Sequence, residues 1–310
     1  MPANPADVAL LEELTPEAER LMERHLSASK EWFPHEYVPW SQGRDFEPGE
    51  AWVADDEKVP AALRSALFVN LLTEDNLPYY FRDIERMFGR NDVWGAWSKR
   101  WTAEEGRHSI VIRDYLTVTR AIDPIELERA RMIQVSKGEV PEPPSAADGM
   151  AYVALQELAT RIAHFNTGEL LEDDGYAQKI MKRVAADENL HYLFYRDLVS
   201  AAIKADPSAM VIAIEAQVRD FEMPGTGIPG FSEHARAIAK ARIYDMQIHH
   251  EKILVPVVLR HWAVESLEGL TPEAEQARDA LIDRIERTGR VAAKVAERAA
   301  RDAARVSVSA

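Results

Sequence analysis

Cysteine is absent from the 310 residues. That absence removes disulfides, zinc–thiolate sites, a thiol nucleophile and cysteine-ligated iron–sulfur clusters together. Any metal must therefore sit on histidine and carboxylate. No segment reaches the roughly 18 uncharged apolar residues of a membrane-crossing helix, so no span is expected. The opening MPANPADVALLEELTPEAERLM has acids and prolines where a signal peptide carries bases and then an apolar stretch, which gives a cytoplasmic expectation. Basic residues are outnumbered by acidic ones, 37 against 52, for a net charge of −15. Such a chain repels phosphate backbones, and nucleic acid is not expected as its partner.

What is present, 46% hydrophobic and 29% charged residues, is the composition of an ordinary globular protein with enough length for a sizeable core. Apolar residues recur at three- and four-residue steps almost throughout, and strand-like alternation is scarce, so the fold class is all-α. Breaks are expected at the Pro- and Gly-rich stretches 39–49, 136–149 and 223–232, and near Asp123-Pro124, Asp206-Pro207 and Thr271-Pro272. Asp148, Asp206 and Thr271 are expected N-caps. The stretch from 271 to about 304 alternates charge with alanine, as an outer helix would.

The informative feature is a repeat of ionisable residues on helical faces that are otherwise apolar. Between Asp92 and Arg120, Trp94, Trp97, Trp101, Ile112 and Tyr115 mark one face, and Glu105 and His108 share its phase. A spacing of three sets the two side chains about 60° apart on that face, close enough to bind one ion together. The segment from Gly175 repeats the pattern, with Glu188 and His191 among Ile180, Val184, Tyr195 and Leu198. Each pair is preceded by a lone carboxylate in an apolar stripe: Glu74 with Leu67, Leu71, Leu77 and Phe81, and Glu157 with Met150, Val153 and His164. Both intervals, from Glu74 to Glu105 and from Glu157 to Glu188, are 31 residues. Two copies of one helix hairpin would thus offer four Glu and two His, the set that ferritin-like di-iron carboxylate bundles project inward. Four carboxylates buried alone could not stay ionised, and two divalent cations would resolve that conflict. His249-His250-Glu251 is read as a surface or core element, because adjacent histidines point to different helix faces.

The segments TEDNLP (73–78), WTAEEGRH (101–108), QELAT (156–160) and DENLH (187–191) together resemble the soluble acyl-(acyl carrier protein) desaturases, especially their actinobacterial branch. The resemblance runs from about Trp32 to about Ala202 and is weak beyond 205. It implies a homodimeric enzyme with two iron ions that uses O2 and two electrons from a ferredoxin-type donor to remove two hydrogens from an acyl chain on acyl carrier protein. By matching positions it implies Glu74 and His108 on one iron, Glu157 and His191 on the other, and Glu105 and Glu188 bridging. Thr160 matches a threonine beside the oxygen-binding face, or else bonds a backbone carbonyl. Asp187 and Trp32 match an acid behind His108 and a surface tryptophan that relays electrons, with a packing role as the alternative for Trp32.

Departures from the plant pattern lie at Asp83, Arg86 and Met87, where that family lines its deep acyl channel, and at Arg161 and Phe165, which would narrow or reroute the pocket. An acidic chain would also need a local Lys/Arg patch to dock an acidic carrier protein. The expected architecture is one domain over 1–310, a ferritin-like four-helix di-iron bundle with additional helices. Within it, 1–50 is an N-terminal extension, about 59–204 the metal-binding bundle, and 205–310 additional C-terminal helices. Competing functions are a di-iron oxygenase acting on another substrate, an iron-storing cage, and a non-catalytic paralogue that binds the carrier protein.

Overall fold

Chain order in the computed structural model, which describes residues 4–308 apart from 56, 57, 224 and 226, runs through helices alone. They are α1 (Pro5–Ala28), α2 (Ala61–Glu74), α3 (Leu77–Phe88), α4 (Asp92–Val118), α5 (Pro124–Lys137), α6 (Ala146–Leu170), α7 (Gly175–Ala205), α8 (Pro207–Arg219), α9 (Phe231–Lys240), α10 (Met246–His249) and α11 (Pro272–Val308). Helix α10 continues as a wider π-helical stretch, His250–His261, that contains Pro256. No strand occurs among the described residues.

Short polar side chains start these helices by accepting orphan backbone N–H groups. Asn4, Asp123, Asp174, Asp206 and Asp245 do so for α1, α5, α7, α8 and α10. Thr271 accepts from Ala274 N at 3.3 Å, with Pro272 opening α11. The cap of α6 is Ser145 rather than Asp148. Asp148 lies three residues inside, donates its N–H to Ser145 Oγ at 3.1 Å, and adds its charge to the first turn. Gly138, in the left-handed conformation (φ 63°), ends α5.

The stripe drawn through Glu74 to Phe81 is also corrected. Pro78 sits in the first turn of a new helix, so α2 ends at Glu74, and Leu77 and Phe81 are only partly buried. Glu74 thereby becomes the last residue of its helix.

Helices α2, α4, α6 and α7 form the bundle that carries the ionisable repeat. Its packing is aromatic on the α4–α7 side. Trp97 stacks on Phe194 with ring centres 3.6 Å apart and donates its indole N–H to Tyr195 Oη at 3.0 Å. Helix α1 buries Leu11, Leu14, Ala18 and Leu21 in the same core. Each of the three leucines contributes about 1.5–3 kcal/mol of burial free energy, so α1 is anchored to the bundle.

Asp174 links cap and core. Its Oδ1 accepts from Tyr176 N and Ala177 N, both at 3.0 Å, and its Oδ2 accepts from Tyr115 Oη at 2.7 Å. Asp174→Ala is expected to cost about 1–2 kcal/mol, read as a lower urea midpoint with unchanged slope. An unaltered midpoint would contradict this role.

Candidate metal centre

The four bundle helices turn Glu74, Glu105, His108, Glu157, Glu188 and His191 to one point, each 6% exposed or less. Their ligand atoms form two overlapping groups within 4.8 Å, one of Glu74, Glu105, His108 and Glu188, the other of Glu105, Glu157, Glu188 and His191. Glu105 and Glu188 belong to both. The two halves mirror each other. His108 Nδ1 lies 3.1 Å from Glu105, 3.5 Å from Glu188 and 3.8 Å from Glu74. His191 Nδ1 lies 2.8 Å from Glu105, 3.6 Å from Glu157 and 3.9 Å from Glu188.

The acids are under electrostatic strain. Burial pushes Glu74 up to about 8, with the Glu105 and Glu188 charges adding and His164 and His108 opposing. Burial and then the Glu188 charge push Glu157 well above the usual carboxylate range. Burial raises Glu105 and Glu188 too, but the surrounding histidines outweigh it and hold both below that range. His108 and His191 stay well above the usual imidazole value despite burial, chiefly because of the Glu105 charge.

Whether these residues fit metal is decided by what they leave unpaired. Glu105 Oε1, Glu157 Oε2 and His191 Nδ1 are fully buried and make no hydrogen bond, although the Glu105 and His191 atoms are within 3 Å. Orphaned donors and acceptors facing one point are costly unless a cation satisfies them. Carboxylate with imidazole is also the donor set that suits divalent iron or manganese. The arrangement fits two divalent cations, whose charge would offset the four carboxylates.

Behind each histidine stands the acid that precedes the other hairpin's Glu. Asp187 Oδ2 is 3.5 Å from His108 Nε2 and accepts from Trp32 Nε1 at 2.7 Å and Arg107 at 3.2 Å. Trp32 is 3% exposed and nearly parallel to the His108 ring, 6.5 Å away, so it is a buried rather than a surface tryptophan. Burial follows from the chain after α1 folding over α4 and α7, with Arg107 above the indole face.

Glu104 stands in the equivalent place behind His191, whose Nε2 lies 3.0 Å from its Oε2. Sequence reasoning missed Glu104, although it precedes Glu105 as Asp187 precedes Glu188. Spacing marks His164 only as a stripe residue. Its ring is 1% exposed, with Nε2 at 3.4 Å from Glu74 and 3.6 Å from Glu188. Spacing likewise marks Trp101 only as packing, yet it donates to Glu157 Oε1 at 2.9 Å.

Two cavities meet at Thr73, Glu74 and Thr160 beside this cluster. The first reaches Ile84, Met87, Tyr152 and Val153 and has Glu105, Glu157 and Glu188 in its wall. The second is lined by Ala66, Val69, His164, Phe231, Ile238 and Ile243. Thr160 Oγ1 donates to the carbonyls of Gln156 at 3.2 Å and Glu157 at 3.0 Å.

Asp83 and Met87 line the first cavity, whereas the Arg86 side chain is about half exposed and lines neither. Arg161 and Phe165 line neither cavity, and Phe165 is 41% exposed, so these two do not narrow the pocket. His249 Nδ1 accepts from Tyr244 Oη at 2.8 Å, and burial lowers its pKa to about 4; it joins no candidate metal group among the described residues.

The family model described as fatty acid desaturase matches residues 6–310. The chain is 42% identical over 291 residues, 91% of itself and 86% of the relative, to DesA1 of Mycobacterium tuberculosis, provisionally named an acyl-[acyl-carrier-protein] desaturase. It is 28% identical over 289 residues, 86% of itself and 73% of the relative, to the chloroplastic stearoyl-[acyl-carrier-protein] 9-desaturase 6 of Arabidopsis thaliana. Among solved structures, DesA2 of Mycobacterium tuberculosis, under a similarly provisional name, superposes with a TM-score of 0.69. The match has 27% identity and covers 87% of this chain and 99% of that one.

Proposed function

This chain belongs to the fatty acid desaturase family, and from that premise we propose that it is an acyl-[acyl carrier protein] desaturase with a centre of two iron ions. Glu74 and His108 would hold one ion and Glu157 and His191 the other, with Glu105 and Glu188, which belong to both groups, available to each. The observation that carries this reading is the convergence of four carboxylates and two histidines, with unpaired buried atoms, where the four carboxylates form part of the wall of a largely apolar cavity. An iron-storage role would not need such a cavity. The chain works as one domain, with its metal-binding bundle over about 59–204.

An unactivated methylene C–H cannot be removed by a side-chain base, and a ferrous pair held by these residues would supply the O2-activating chemistry that the reaction requires. The protein's own residues bind, orient and exclude water. Ile84, Met87, Tyr152 and Val153 give the acyl chain an apolar wall alongside the carboxylate cluster. Thr160, its hydroxyl turned onto its own helix carbonyls, lines both cavities where they meet. Trp32 and Asp187 form a hydrogen-bonded line from beneath the surface towards His108, suited to electrons from a ferredoxin-type donor. A homodimer and a cytoplasmic setting complete the proposal. The protein incubated with ferrous iron, O2, a ferredoxin system and acyl carrier protein bearing chains of different length should yield a product two mass units lighter, by about 2 Da per chain. Recovery of hydroxylated product or unchanged chains throughout would overturn the assignment.

Asp83 is expected to limit the chains accepted. It is 4% exposed, lines the cavity with Ile84 and Met87, and is held by Arg82 at 3.1 Å. Desolvating that carboxylate against a methyl terminus is unfavourable. Asp83→Leu should raise kcat/KM on longer chains by about 0.8 kcal/mol, roughly fourfold, for each methylene that gains an apolar wall. An unchanged order of chain preference would contradict it.

A further inference from the structure

The N-terminal helix α1 brings a histidine to the metal-binding side chains. His25, in the last turn of α1, is 4% exposed, and its Nε2 lies 2.8 Å from Glu104 Oε2. The same carboxylate oxygen lies 3.0 Å from His191 Nε2. The two imidazoles lie 5.7 Å apart at an interplanar angle of 20°, and the Trp97 edge meets His25 at 5.0 Å and 90°. The other oxygen, Glu104 Oε1, is 2.5 Å from Arg100, and Arg107 is 3.9 Å away.

Both imidazoles donate to Glu104. A carboxylate is an acceptor only, so its Oε2 fixes the Nε2–H tautomer in His25 and in His191. In His191 that tautomer leaves the lone pair on Nδ1, the atom that faces Glu105, Glu157 and Glu188. Arg100 and Arg107 draw Glu104 to its outer side through Oε1, and His25 adds a second inner donor beside His191 that holds Oε2 turned inward. Asp187 in the opposite half is held instead by Trp32, Arg107 and Arg183, with no contribution from α1.

We infer that His25 is a positioning residue: acting through Glu104, it sets the tautomer and orientation of His191, so that helix α1 controls the metal affinity of the Glu157–His191 half of the centre and not that of the Glu74–His108 half. This rests on the two-ion reading given above. Partners that orient a ligating histidine are each worth about 10- to 100-fold in metal affinity.

The test is anaerobic equilibrium dialysis of the full chain against ferrous iron, with cobalt(II) absorption as a second probe of the ligand field. Wild type should take up two ions per chain. His25→Ala should keep one ion at wild-type affinity, bind the other about 10- to 100-fold more weakly, and alter the cobalt(II) spectrum of that half alone. His25→Gln, whose amide can donate to Glu104, should restore both ions. In a His191→Ala background, adding His25→Ala should change nothing further, because the group it positions is gone. Equal weakening of both ions, additive losses in the double variant, or full binding by His25→Ala would each overturn the inference while leaving the desaturase reading intact. Failure of the wild type to bind any ion would instead sink the two-ion reading itself.

Discussion

Glu188→Ala is expected to abolish desaturation and to reduce bound iron from two ions per chain to less than one. Glu188, like Glu105, has atoms that reach both halves, with Oε1 at 3.5 Å from His108 Nδ1 and Oε2 at 3.9 Å from His191 Nδ1. It is 2% exposed and at the centre of both four-residue groups. Losing a partner one shell further out costs about 10- to 100-fold in metal affinity, and loss of a direct ligand shared by both ions should exceed that. The substitution does not threaten the fold to the same degree, since it removes a buried charge and α7 remains capped by Asp174 and packed along its length by Ile180, Val184, Phe194, Tyr195 and Leu198. His108→Ala should be graded differently. His108 belongs to one group alone, so one ion should remain while turnover is still lost, because the reaction needs both. Metal analysis beside product mass spectra measures both effects. Turnover that survived Glu188→Ala would show that the metal is not catalytic.

Stability should depend on pH in the metal-free protein and lose most of that dependence when metal is bound. Glu74 titrates at about 8 in the folded chain against 4.5 when exposed, and His164 at about 9 against 6.5. Across those windows the folded state holds protons that the unfolded chain has released, so the folded form loses ground as pH rises. Glu157, His108 and His191 are shifted upwards and act in the same sense. Glu105 and Glu188, held below the usual range, act oppositely, but only as the pH falls into acid. Between about pH 6.5 and 9, then, the metal-free Tm should fall steadily.

Cations would replace the protons on the ligands Glu74, Glu157, His108 and His191, so metal affinity should rise with pH over the same interval. At a hundredfold excess over Kd the bound ion adds about 2.7 kcal/mol, or roughly 5 °C in Tm for a chain of this size. Melting curves with and without ferrous iron or manganese, taken across this range, measure both effects. Superimposable curves at every pH would mean that the carboxylates do not share one site.

Much of this centre is written in local spacing. A Glu and a His three residues apart lie on one helix face whatever the helix packs against, because 3.6 residues per turn is a property of the backbone. The equal intervals before Glu105 and Glu188 likewise describe two similar hairpins without reference to how they dock. The missing cysteines exclude thiolate chemistry in any fold. Sequence periodicity is less dependable where one residue changes the backbone, as at Pro78, which ends the stripe of Glu74 one turn early.

What only the tertiary structure decided are the contacts that adjacent residues divide between them. Glu104 and Glu105 lie about 100° apart around α4, so spacing cannot say that both are buried. They are, because α1 covers the Glu104 side and brings His25 to it, while the bundle interior receives Glu105. The same holds for Trp32, buried by the chain that follows α1, and for Phe165, which points to solvent. Periodicity fixes the angle between side chains on one helix. The rotation of that helix against its neighbours, and hence which side chains meet, is set by packing between segments distant in sequence.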